Sequence, residues 1–307
     1  MKTNFLQKIL NTSLAKIILG LITCLATVRL GQFIIQNLLF TNASKDLKAL
    51  ISGLFVSALA IITYQYLYKF YEKREITELS KKGIVKNIAI GAGLGAILQS
   101  LTILTIFLSG GYKVVSINPI QFVMPPLIMA FTSAIIEEIL LRGIIFRITE
   151  EKLGTYAAMA ISAALFGAMH LANPHSSVIA GIGLAIQAGL LLAAAYIYTR
   201  NLWFPIAIHF AWNFTQSAIF GANVSGNSIS KTLITSKITG PEWLTGGLFG
   251  PEGSIQATLF CFVATIVLLI LSHKQGKVIP PRRRKRDEPL TATPDETGQV
   301  IGAELNQ

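Results

Sequence analysis

Charge is scarce in this 307-residue chain: 13% of the residues are Asp, Glu, Lys or Arg, against 52% hydrophobic, and the mean hydropathy is +0.58. So little charge excludes an ordinary soluble domain. Cysteine is scarcer still. Cys24 and Cys261 each fall inside an apolar run, which excludes a disulfide framework and makes both lipid-facing or packing residues. There is no internal repeat, no HExxH zinc motif and no A-x-A cleavage site behind the first apolar run. The net charge of +11 does not point to nucleic acid, because the basic residues are spread through connectors and a tail and form no stripe with interleaved aromatics.

What the chain has is apolar runs of spanning length, near 17–40, 49–68, 87–108, 120–146, 155–171, 177–199, 201–220 and 254–272. The reading is an all-α, polytopic membrane helix bundle with about eight transmembrane helices, an integral multi-pass protein whose partner is the lipid bilayer. The first run carries Arg29 and follows Lys2, Lys8 and Lys16 as a signal peptide would, but is read as an uncleaved helix. Eight spans put both termini on one side. Of the 26 Lys and Arg, 20 then fall on that side and five opposite, Lys45, Lys48, Lys113, Lys231 and Lys237, with Arg29 inside the first span. This bias places both termini in the cytoplasm, and in a bacterium the membrane would be the inner, plasma membrane.

The chain divides into N-terminal membrane helices and a connector (1–79), a core (80–220), a Gly-, Ser- and Thr-rich external loop (221–253), a last helix (254–272) and a basic cytoplasmic tail (273–307), disordered from Pro280 onward. The Arg282–Arg286 cluster reads as a stop-transfer anchor in preference to a lipid-recognition site. Gly91 and Gly95 form a GxxxG, a sign of close helix packing.

Ionisable groups deep in a bilayer cost roughly 2.5–3.5 kcal/mol each on insertion scales, so each needs a reason. Glu137, Glu138 and Arg142 stand among branched apolar residues. On a helix Glu138 and Arg142 share a face and pair, bracing the site, while Glu137 lies about 100° round and points into it. Phe166 and His170 share a second helical face, and His209 and Asn213 a third, where Asn adds an amide that packing would not require. Phe166 on its own is read as a packing aromatic, and His175 and His273 as solvated. Counted from the cytoplasmic connectors at 1.5 Å per residue, Glu137, His209 and Asn213 lie roughly 16, 13 and 20 Å deep. His170 comes out at roughly 25 Å on the same count, which implies that its helix starts later than residue 155.

These residues spell EExxxR (Glu137, Glu138, Arg142), FxxxH (Phe166, His170) and HxxxN (His209, Asn213), in order and on three separate helices. In this the sequence resembles the CPBP family of CAAX prenyl proteases and bacteriocin-processing enzymes, also called Abi, over about residues 80–220. The resemblance implies an intramembrane endopeptidase that cuts a membrane-associated peptide or protein, prenylated in one branch of the family. It implies that Glu137 and His170 activate a water, that His209 and Asn213 hold the oxyanion, and that Glu138, Arg142 and Phe166 support them. Family members are described both as metalloproteases and as metal-independent glutamate proteases. Glu137, His170 and His209 would be the candidate ligands of a zinc, yet a metal on Glu137 would need another base, so no cofactor is expected. The rival is a non-catalytic membrane protein, in bacteriocin immunity or scaffolding, or a proton-coupled transporter; a transporter would more often show repeats.

Overall fold

A computed structural model describes residues 5–40 and 42–282. The basic cluster from Arg283 onward and the rest of the expected disordered tail lie outside the described residues. The helices are α1 (Phe5–Leu10), α2 (Ser13–Ile34), α3 (Lys45–Tyr71), α4 (Ile84–Leu108), α5 (Met124–Glu138), α6 (Arg147–His170), α7 (Val178–Leu184), α8 (Leu191–Thr199), α9 (Trp203–Phe214), α10 (Glu242–Thr245) and α11 (Ile255–Lys274). Wider π-helical turns extend or join them at Ile35–Leu39, Ile139–Phe146, Ala185–Leu190 and Thr215–Ile219. The result is an all-α membrane bundle. Five helical stretches, Ser13–Leu39, Lys45–Tyr71, Ile84–Leu108, Val178–Thr199 and Ile255–Lys274, are long and apolar enough to cross a membrane. The segments 124–146, 147–170 and 203–219, which hold all three motifs, pack among them.

Local chemistry starts several of these helices. Thr12, Ser44, Ser177 and Ser254 each accept a hydrogen bond from a first-turn backbone N–H, which satisfies a donor the helix itself cannot. Outward faces are apolar where lipid belongs: Leu14, Ile22, Leu30, Ile97, Phe107, Leu259 and Val263 are all exposed. Cys24 and Cys261 are both buried, so they pack inside the protein and do not face lipid.

The helix ends gather at two poles. At one, Lys231 pairs with Asp46, Asn173 Nδ2 donates to Ser225 O, and β1 (Tyr112–Ile117) runs antiparallel to β2 (Ile234–Ile238). At the other, Glu72 binds Lys16, Arg74 and Arg147, Arg200 binds Glu150, and Asn201 Nδ2 donates to Ser80 O. The chain therefore alternates between a loop-bearing pole and a basic pole, with five of the eight expected spans long and apolar enough to cross a membrane.

Three findings alter the sequence expectations. The 221–253 stretch is a fastened structure rather than a plain loop: β2 lies within it, Gly226 N donates to Phe249 O and Gln256 to Leu244 O. The start of the tail is held too. Residues 279–281 lie against Gly154, whose φ of +78° breaks α6 and whose site a Cβ would fill, 2.6 Å from Pro281 N. Arg282 N donates to Lys152 O, so 280–282 do not belong to a free tail. And α6 continues helically from Thr155, so the later start inferred from the depth of His170 does not occur; counting rise along upright rods ignores helix tilt.

Candidate active site

Four of the helices that carry or frame the motifs are brought together by small residues. A Cβ at Gly91 would stand 2.7 Å from Phe204 O, and one at Gly95 2.3 Å from Ile208 O, so the GxxxG lets α4 press directly on the backbone of α9 beside His209. Gly167 does the same for α6 against α7, where its Cβ would lie 2.3 Å from Gly181 O. Close backbone approach thus fixes α9 beside His209 against α4, and α6 beside His170 against α7.

Glu138 and Arg142 pair as expected, Oε1 to Nη1 at 2.8 Å, with both side chains 0% exposed. The sequence reading took this stretch as a regular α-helix, whereas the chain widens into a π-helical turn immediately after Glu138. Such turns recur at functional sites because they re-aim side chains and free carbonyls. The second π-helical turn shows the effect: Arg142 Nη2 donates to Ala188 O at 3.3 Å and Gly189 O at 2.9 Å. The guanidinium also lies over the Phe166 ring, 5.1 Å from its centroid.

Phe166 is more than filler, since it stacks on His170 (centroids 4.6 Å apart, 27° between planes) and meets His209 edge-on at 6.0 Å. His170 Nδ1 lies 2.8 Å from Phe166 O. A carbonyl only accepts, so Nδ1 carries the proton and Nε2 of the neutral ring presents a lone pair. His209 Nδ1 lies 3.1 Å from Glu138 Oε1, which fixes that ring in the same sense. Both Nε2 atoms then face one oxygen: Glu137 Oε2 is 4.0 Å from His170 Nε2 and 4.0 Å from His209 Nε2. This buried oxygen has no hydrogen-bond partner among the described residues. Asn213 lies beside them, its Nδ2 3.5 Å from Ser133 Oγ. Glu137, His170, His209 and Asn213 all line a single cavity of about 270 Å³.

Residues 119–215 match the model of the type II CAAX prenyl endopeptidase Rce1-like family. The matched segment contains all three motifs, and the match is consistent with the CPBP resemblance. The Rce1-like family is one of CAAX-type intramembrane proteases, which act on membrane-associated proteins. Neither curated proteins nor solved structures give a match to the chain.

The site holds more than the motifs. Gln187, Asn173, Ser225, Asn227 and Glu252 also line the cavity. Glu252 is buried, its carboxylate accepts from Ser225 N, and Gln187 donates to its backbone carbonyl. Burial pushes the Glu252 carboxyl above its ordinary value. Gln187 was visible in the sequence as an amide within an apolar span. Glu252, in a Gly-Pro-Glu-Gly stretch of a polar loop, carries no local signal.

The residues do not fit a zinc as they stand. Bonds of about 2.0–2.1 Å to a tetrahedral ion put ligand atoms about 3.4 Å apart. The two Glu137–histidine separations are wider, and no group of three or more His, Cys, Asp or Glu among the described residues is arranged to hold a metal ion.

Proposed function

We propose that this protein is an intramembrane endopeptidase in which Glu137 and His170 activate a water for attack on a peptide carbonyl, without a metal. The observation that carries the reading is the pairing of Glu137 Oε2 with two imidazole nitrogens at 4.0 Å each. That distance is too long for a direct hydrogen bond, and it suits one water about 2.8 Å from both partners.

The chemistry follows from what each group can give and take. Glu137 accepts the proton of the attacking water, and the neutral His170 ring, with Nδ1–H held by Phe166 O, accepts the second hydrogen bond at Nε2 and orients the nucleophile. The hydroxyl adds to the carbonyl carbon, and negative charge gathers on the carbonyl oxygen. Asn213 Nδ2 is a fixed amide donor for that oxyanion. His209, whose Nδ1–H is committed to Glu138, supplies a second donor at Nε2 when it is an imidazolium. The proton taken by Glu137 is then delivered to the leaving amine. Glu138 and Arg142 act through His209 and the π-helical carbonyls and are positioning residues.

Purified protein in detergent is expected to cleave a membrane-proximal peptide, and Glu137→Ala and His170→Ala to abolish cleavage while retaining the parent's thermal unfolding. Full activity in both variants overturns the mechanism. Elemental analysis of active protein is expected to show no stoichiometric zinc.

A further inference from the structure

The cavity has a mouth and a floor, and they lie at different poles. Its exposed lining residues are Met129 (38%), five residues into α5, Met169 (46%), at the end of α6, and Asn227, in the 221–253 segment. All three belong to the loop-bearing half of the protein. In the opposite direction the catalytic groups rest on the fully buried Glu138–Arg142 pair, whose guanidinium is tied to Ala188 O and Gly189 O. Beyond it lie buried Leu141, Ile145, Leu191 and Ala195. No lining residue of the cavity comes from the basic pole.

The 221–253 segment forms the wall of this mouth and is tied to the helices around it. Asn173 donates to Ser225 O, Gln187 to Glu252 O, and Gln216 to Asn223 O at 2.6 Å. The two exposed methionines give the mouth an apolar edge of flexible thioethers that adapt to varied side chains. Its polar edge is made by Asn173, Asn227 and Ser225.

Charge orients the poles. The loop-bearing pole holds Lys45, Lys48, Lys113, Lys231 and Lys237, whereas the connectors 72–83, 147–153 and 200–202 and residues 274–282 gather at the other with most of the remaining described Lys and Arg. Such a bias sets the more basic side in the cytoplasm.

We infer that the segment to be cut reaches the site from the loop-bearing pole, between Met129 and Met169, so that the substrate is the extracytoplasmic, apolar stretch of a membrane-bound polypeptide. The inference rests on the protease reading for the word substrate, but its geometry does not. A cytoplasmic prenylated C-terminus would arrive at the closed floor. The apolar mouth accepts a lipid-flanking chain, and the Asn and Ser edge offers hydrogen bonds to the backbone of a chain unwound there.

The test uses the full chain with Cys24→Ala and Cys261→Ala, carrying Ser133→Cys or, as a second probe without a side-chain hydrogen bond, Ala188→Cys. Both positions line the cavity. Right-side-out and inverted membrane vesicles from expressing cells are treated with a membrane-impermeant, positively charged methanethiosulfonate. Labelling is expected in right-side-out vesicles and lost in inverted ones. Labelling confined to inverted vesicles, or absent from both for both probes, overturns the inference. Because labelling needs no turnover, a protein that labels as expected but cleaves nothing in detergent fails only the protease reading. One that cleaves but labels from the cytoplasmic face fails only the route.

Discussion

Two clusters of buried charge lie in the same bundle and are built on opposite principles. At the basic pole the buried carboxylates are each close to a cation: Glu72 to Arg74, Arg147 and Lys16 at 2.8, 2.9 and 3.1 Å, Glu78 to Arg74 at 2.6 Å, Glu150 to Arg200 at 2.5 Å. Tyr64 adds a hydroxyl to Glu78. In the cavity, Glu138 is tied through Oε1 to both Arg142 and His209, whereas Oε2 of its neighbour Glu137 lies 4.0 Å from two imidazoles and has no hydrogen-bond partner among the described residues. A carboxylate with a cation in direct contact holds helices together, and one without is free to meet a reactant. Adjacent glutamates in one helix thus differ because only Glu138 has a cation within hydrogen-bonding distance.

The contrast can be broken most severely at Glu137. Removing a positioned general base typically costs about 10²–10⁴-fold in rate. Glu137→Ala is therefore expected to lose that much peptide cleavage with unchanged unfolding temperature; a destabilised variant would move Glu137 into the structural class. Arg142→Ala should do the reverse and lower folded yield and stability by about 3–5 kcal/mol, because it leaves Glu138 buried without its partner. Thermal unfolding in detergent measures this. For Asn213→Ala the expected loss is about 10²-fold in kcat, the scale of one oxyanion donor, with little change in KM.

The basic pole should answer more gently. Arg74 is partly exposed, and Arg147 and Lys16 remain near its carboxylates, so Arg74→Ala is expected to cost only about 1 kcal/mol. Acid tests the same network. Burial by itself would raise the carboxyls of Glu72 and Glu78, but Arg147, Arg74 and Lys16 around Glu72, and Arg74 and Tyr64 around Glu78, hold both below their ordinary value of 4.5. A carboxylate with a lowered value in the folded state contributes stability that is fully present above pH 4.5 and is lost as the pH falls through its folded value. The unfolding temperature should therefore drop below about pH 4.5. That acid loss should shrink in Glu72→Gln, which removes one of the two groups.

Much of this was legible beforehand because a bilayer makes polar residues conspicuous. Glu137, Glu138, Arg142, His170, His209 and Asn213 stood out against apolar runs, and the Glu138–Arg142 pair followed from helical spacing alone. Glu252 did not stand out, since a carboxylate in a polar loop is unremarkable until the loop folds back over a cavity. Nor did the π-helical turns at Ile139–Phe146 and Ala185–Leu190, which arise from packing and leave no periodic mark. Gly91 and Gly95 hinted at a close contact without naming α9 as its partner.

By itself, the order of residues determined a membrane bundle, its spans, the basic bias of one side and the members of three motifs, because hydropathy and helical spacing are local properties that hold whatever the neighbours are. Tertiary structure alone decided which tautomer each histidine would adopt and that Gln187 and Glu252, from outside the motifs, would line the same cavity. Those outcomes depend on distances between helices far apart in the chain, and such distances come from the close fit of glycine surfaces and from carbonyls released at widened turns.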